Sequence, residues 1–210
     1  MSNDLKDLIS TPLDLPLIEP TSWDDWWDLW NKESAYTPKV IKTHNNVSSP
    51  WKGLEIWSRP GINSRSIVTY DAKNVNRPDL FPSIFDNLDK FPIKIDIVRV
   101  VSNFVTVIPH SDALPDKKIL SVRSMLYNTN IEPTFNYRLN GQKVYQTLPK
   151  DTNTWMYWDH KTKHAADFHH GYTKHLITIY GRPKANYNEY IEKSANMYKD
   201  HAIFNTKTME

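Results

Sequence analysis

The stretch IKIDIVRVVSNFVTVIP, residues 93–109, constrains the fold of this chain more than any other. β-Branched residues recur through it, and their side chains suit an extended backbone while crowding a helix. A weak point at Ser102-Asn103 implies two strands joined as a hairpin. The theme then repeats. KILSVRSMLYN reads as a further strand, and FNYRLNGQKVYQTL as a hairpin whose Asn140-Gly141 pair fits a type I′ turn. TWMYWD and KHLITIYG read as two more, and WKGLEIWSRPGINSRSIVTY, upstream, as two short strands about Pro60-Gly61. Consecutive short strands flanked by helices predict a mainly β chain with flanking helices. The architecture expected is a cupin-like jelly roll, a double-stranded β-helix.

The 210-residue length suits one domain with a decorated core, and a hydrophobic fraction of 39% supports a packed interior. Fourteen prolines against five glycines favour extended, punctuated segments over a helical bundle. The net charge of +2 is too small to argue for a nucleic-acid groove. No apolar run is long enough to cross a membrane, and MSNDLKDLIS lacks a basic-then-apolar leader, so the expectation is a soluble cytoplasmic protein. With no cysteine, thiolate metal sites, disulfides and cysteine nucleophiles are excluded. Any metal site must be built from His, Asp and Glu.

Three divisions are expected. Residues 1–20, with Pro12, Pro16 and Pro20, read as an extended arm on the surface or on a partner. Residues 21–185 form the β domain with its N-terminal helices, and 186–210 a C-terminal helix packed on it. In TSWDDWWDLWNK, Ser22 and Asp25 resemble a capping box, and Trp23, Trp26, Trp27 and Trp30 fall on one helical face. That face either clamps the helix to the core or serves as an interaction platform. RPDLFPSIFDNLDKF reads as a short helix with Ile84, Phe85 and Leu88 inward, and NYNEYIEKSANMYKDHA as an amphipathic one with Tyr187, Ile191, Ser194 and Tyr198 aligned.

The chemistry gathers on histidines. VIPHSD places His110 and Asp112 two apart after a β-branched run, a spacing that chance alone delivers in a chain with eight histidines. Five of the eight fall between 160 and 175: His160, His164, His169, His170 and His175. A jelly roll brings distant strands together, so one of these could join His110 and Asp112 in the facial triad of a non-haem iron(II) site. Three ligands on one face leave room for a chelating co-substrate and dioxygen, which a four-ligand structural site would not. In TKHLITIYG, alternation puts Lys174, Leu176, Thr178 and Tyr180 on one face and His175, Ile177 and Ile179 on the other. Lys174 heads an otherwise buried-looking strand, where a lysine calls for an anion.

VIPHSD, LSVRSMLYN and TWMYWDHKTKHAADFHHGYTKHLITIYG together resemble the 2-oxoglutarate/Fe(II)-dependent oxygenases, in particular the aspartyl/asparaginyl β-hydroxylase-like branch. The resemblance covers roughly residues 91–182, and it implies Fe(II), 2-oxoglutarate and O2 as cofactor and co-substrates. It implies His110, Asp112 and His164 as metal ligands. His164 is preferred to His160 because a basic residue, Lys174, lies ten positions on, where the family anchors 2-oxoglutarate. Arg123 matches an arginine that assists that co-substrate. The anchor is usually arginine in this branch, and lysine makes a point contact where arginine makes a fork. The branch often lacks the aspartate ligand, which is present here. The implied activity is hydroxylation of a peptide or protein side chain, an amino acid or another small molecule. Two other readings differ in class: a cupin-like metal or small-ligand binder without turnover, and an interaction module working through the Trp-rich helix.

Overall fold

A computed structural model of the chain describes residues 5–33, 51–62, 73–103, 107–111, 123–128, 135–149, 154–167 and 174–205. The strands are β1 (Leu8–Leu13), β2 (Trp51–Ser58), β3 (Lys73–Asn74), β4 (Ile93–Asn103), β5 (Val107–His110) and β6 (Arg123–Asn128). They continue as β7 (Phe135–Leu139), β8 (Gln142–Tyr145), β9 (Thr154–Trp158), β10 (His164–Ala166), β11 (Lys174–Pro183) and β12 (Ile203–Phe204). Helices α1 (Pro20–Glu33), α2 (Pro82–Phe85) and α3 (Tyr187–Met197) flank them.

The eight strands β4 to β11 form one long hairpin, folded back on itself. Its tip is the Asn140-Gly141 turn, where φ is +49° and +78°, the two positive angles a type I′ turn requires. Behind the tip β7 pairs with β8, β6 with β9, β5 with β10 and β4 with β11, every pair antiparallel. The pairs alternate between two sheets, ordered β12-β1-β9-β6-β11-β4-β2-β3 and β5-β10-β7-β8. This is a jelly roll, as the strand succession predicted.

Each face of the large sheet has its own core. On the outer face Val98, Val100, Ile177 and Ile179 pack with Trp26 of α1, Ile84 of α2, and Tyr187 and Ile191 of α3. Between the sheets Ile9, Met156, Trp158 and Leu176 of the large sheet meet Phe135, Tyr137 and Ala166 of the small one. Strand alternation separates the two sets: Leu176 points inward, Ile177 and Ile179 outward.

Several expectations change. IKIDIVRVVSNFVTVIP does not make a hairpin: β4 lies in the large sheet and β5 in the small one, so the break is a crossover between layers. The N-terminal segment is extended but is no surface arm. All six residues of β1 are buried, between β9 and β12, and the Trp155 indole donates to the Pro16 carbonyl at 2.7 Å beyond it. Six residues that read LISTPL can pair because Pro12 alone lacks an N–H. α1 begins at Pro20, so Ser22 lies inside its first turn and is no N-cap. Trp26 is fully buried and Trp23 packs edge-on against Phe81 at 5.6 Å, so these two indoles clamp the helix to the core. Trp27 and Trp30 lie in α1, with side chains outside the described residues. Leu88 is exposed because α2 stops at Phe85. Tyr198 caps α3 from outside it. The second strand expected after Pro60-Gly61 falls outside the described residues. Among the described residues no helix is long and apolar enough to cross a membrane.

β4 and β11 come close where β4 bulges by one residue, between Ile95 and Ile97 opposite Gly181 and Tyr180. A Cβ at Gly181 would run into the Lys94 carbonyl. Gly181→Ala is therefore expected to cost about 1–3 kcal/mol by overpacking, read as a lower urea midpoint with the far-UV spectrum retained.

Candidate metal-binding site

The nested hairpin sets His110 directly opposite His164 in the β5–β10 pair, although 53 residues separate them in sequence. β5 carries an extra residue there. Three steps from Val107 to His110 oppose two from Ala166 to His164, a bulge at Ile108-Pro109. A proline fits an edge strand at a bulge, where no N–H is asked of it. β5 is such an edge, and the bulge re-aims His110 toward its partner.

The two imidazoles have centroids 4.6 Å apart and planes inclined at 56°. Each ring is held in the same way. His110 Nδ1 lies 2.9 Å from the carbonyl oxygen of Ile108, and His164 Nδ1 lies 2.9 Å from that of Thr162. A carbonyl can only accept, so in both rings Nδ1 carries a hydrogen, and in the neutral imidazole the lone pair is then on Nε2. That is the tautomer of a histidine prepared to bind a metal through Nε2. Two imidazoles bound side by side to one ion at about 2.1 Å would have centroids about 4.5 Å apart, so the observed spacing fits.

His164 is buried, with Phe135 stacked on it at 5.5 Å and Trp158 edge-on at 6.4 Å; His110 is half-exposed. Among the described residues, aromatic rings line the buried side of the pair, and His110 is its more exposed member. Its neighbour on β7, Tyr137, is fully buried. Burial pushes its phenol far above the ordinary range and Ser10 only partly offsets this, so it stays neutral.

Asp112 lies outside the described residues, as do His169 and His170. Among the described residues no group of three or more His, Asp or Glu side chains is arranged to hold a metal. His160 is buried in the turn before β10, while the register partner of His110 is His164.

Lys174 opens β11 opposite Asn103. Its strand position shares a face with Leu176, which lies in the inter-sheet core, and with Thr178. Arg123 is elsewhere. Its position pairs with Gly181, seven residues along β11, or about 23 Å at strand rise. Along the strand, the register sets the backbone position of Arg123 apart from that of Lys174.

One inner-wall cation escaped the sequence reading. Arg99 pairs in register with Thr178 on one side and Glu55 on the other, and is fully buried. Its Nη2 lies 3.9 Å from Glu55 Oε2. Only its place in RVV, alternating with outward Val98 and Val100, marks it as inward, and that needs the facing of β4 to be known.

No protein-family model matches the chain, and no curated protein matches it in sequence. Solved structures do match. One is a prolyl hydroxylase from Trichoplax adhaerens in complex with a hypoxia inducible factor oxygen degradation domain peptide fragment. It has TM-score 0.50 and 14% identity, over 90% of both chains. Another is a full-length Neurospora crassa protein in complex with alpha-KG, with TM-score 0.51 and 10% identity, over 94% of this chain and 83% of that one. The fold is the double-stranded β-helix. At such identities the likeness is one of architecture.

Glu55→Ala would leave the Arg99 charge inside without this carboxylate, and is expected to cost about 3–5 kcal/mol, measured by urea denaturation.

Proposed function

We propose that the chain is an Fe(II)- and 2-oxoglutarate-dependent dioxygenase that hydroxylates a peptide or protein side chain or an amino acid. The observation that carries this reading is the His110–His164 pair, opposed across two strands with both Nδ1 atoms held by backbone carbonyls. The quoted sequence stretches support it, and the branch assignment, aspartyl/asparaginyl β-hydroxylase-like, rests on them alone. The peptide held by the Trichoplax enzyme and the alpha-KG held by the Neurospora protein support the substrate class and the keto-acid.

In this reading His110, Asp112 and His164 hold Fe(II), which with 2-oxoglutarate and dioxygen supplies oxidative decarboxylation coupled to hydroxylation. The chain's own part is positional. The two carbonyl-locked imidazoles offer Nε2 without reorganisation. Phe135 and Trp158 exclude water from the buried side of His164. Lys174, at the start of the strand that borders both β4 and β6, is the proposed counter-charge for the far carboxylate of the keto-acid. Arg123, whose backbone position pairs with Gly181, is the assisting cation that the sequence resemblance implies.

The test is conversion of 2-oxoglutarate to succinate with Fe(II) under air. His110→Ala and His164→Ala should lower turnover at least roughly a hundredfold while the circular dichroism spectrum is retained. Unchanged turnover in either would sink the assignment. Lys174→Ala should raise the Kd for 2-oxoglutarate at least about tenfold, the worth of a charged hydrogen bond. Arg123→Ala tests the assisting role: a Kd for 2-oxoglutarate unchanged within about twofold would remove Arg123 from it.

A further inference from the structure

His110 and His164 reach the same tautomer by different routes. The carbonyl beneath His110 belongs to the Ile108-Pro109 bulge and is set by the strand itself. The carbonyl beneath His164 belongs to Thr162, in the turn between β9 and β10, and a turn needs something to hold it. Asp159 holds this one at four points. Its Oδ1 accepts from the Lys161 N–H at 3.2 Å, its Oδ2 from the Thr162 hydroxyl at 3.0 Å, and its carbonyl from the Thr162 N–H at 3.1 Å. Its own N–H donates to Ile9 of β1 at 2.6 Å, which ties the turn to the large sheet. One residue on, the Lys163 carbonyl accepts from Arg138 of β7 at 2.9 Å. The Thr162 carbonyl therefore sits between two pinned peptide units, aimed at His164 Nδ1.

We propose that Asp159 is a positioning residue. Through Thr162 it fixes His164 in the Nδ1–H tautomer and so presents Nε2 to the cleft. Side-chain acceptors that close a turn over their own backbone are a familiar role for aspartate. Here the turn's product is a carbonyl in register with an imidazole. A neutral imidazole in water prefers the Nε2–H form, so loosening the carbonyl lets His164 drift to the tautomer that cannot ligate through Nε2. The part of the proposal that concerns metal rests on the dioxygenase reading; the tautomer itself does not.

The experiment uses the full chain. ¹⁵N-histidine NMR of the metal-free protein at pH 8, where imidazole is neutral, reads the tautomer of each ring, and Co(II) titration reads the affinity. The wild type should show Nδ1–H at both His110 and His164. Asp159→Ala should move His164 toward Nε2–H, leave His110 as it was, and weaken Co(II) binding about tenfold. Asp159→Asn keeps one acceptor oxygen and should fall between. Thr162→Val removes only the hydroxyl anchor and should give a smaller shift of the same sign; it decides the matter should Asp159→Ala fail to fold. A His164 tautomer and Co(II) Kd unchanged within about twofold in these variants would overturn the proposal. Should the wild type bind no Co(II) while the tautomer shifts as stated, the positioning role stands and the metal reading falls.

Discussion

Everything at the candidate site depends on one constraint: strands β4 to β11 pair as the two arms of a single folded hairpin. Once the Asn140-Gly141 turn fixes the tip, each residue on one arm has a determined neighbour on the other. Pairing β5 with β10 is what opposes His110 to His164, and a slip of one residue on either strand would turn one imidazole out of the inter-sheet space. Register is well defended here because the two faces of the large sheet differ: a slip of β4 would drive Arg99 from the inner wall into the helix-packed layer that Val98 and Val100 occupy. The hydrophobic cores thus do more than stabilise the chain; they hold the histidines in phase.

The same two-faced burial explains where charge is tolerated. Inside the sheet, Arg99 sits beside Glu55, and at the far end of β4 the Asp96 carboxylate is held by Arg59 at 2.6 Å and Arg182 at 3.2 Å. The second cluster is half-open to water through its arginines, so its desolvation is modest. The Arg99–Glu55 pair is fully enclosed, and such pairs add little net stability over apolar residues of similar size. A charged pair in that position is better understood as shaping the inner wall than as holding it together.

Much of this was legible in the sequence, for identifiable reasons. Alternation in KHLITIYG gave the two faces of β11, and Asn-Gly gave the tip turn, because both are local. Strands β10 and β11 begin at His164 and Lys174, the two residues ten apart that the sequence singles out. What failed was non-local. Nothing within IKIDIVRVVSNFVTVIP says that its two halves join different sheets, since a crossover and a hairpin both interrupt a β run. The pairing of Arg123 with Gly181 is likewise non-local and cannot be read from its own strand. Three prolines in and near LISTPL suggest an extended, unpaired arm, yet one proline inside a strand costs a single ladder bond.

The edge of the small sheet is what lets backbone carbonyls orient the two imidazoles. A central strand offers its backbone groups to neighbours on both sides and has none to spare for a side chain. β5 is an edge, and it bulges, so the Ile108 carbonyl can accept from an imidazole. His164 opens β10 immediately after a turn, so the Thr162 carbonyl is likewise outside the ladder. Both rings are thus oriented by backbone atoms that the sheets do not use. Orientation by backbone is insensitive to the identity of the neighbouring side chains, provided that the bulge and the turn keep their shape. The residues that maintain those shapes, Pro109 on one side and Asp159 on the other, then matter to the chemistry without touching a reacting atom.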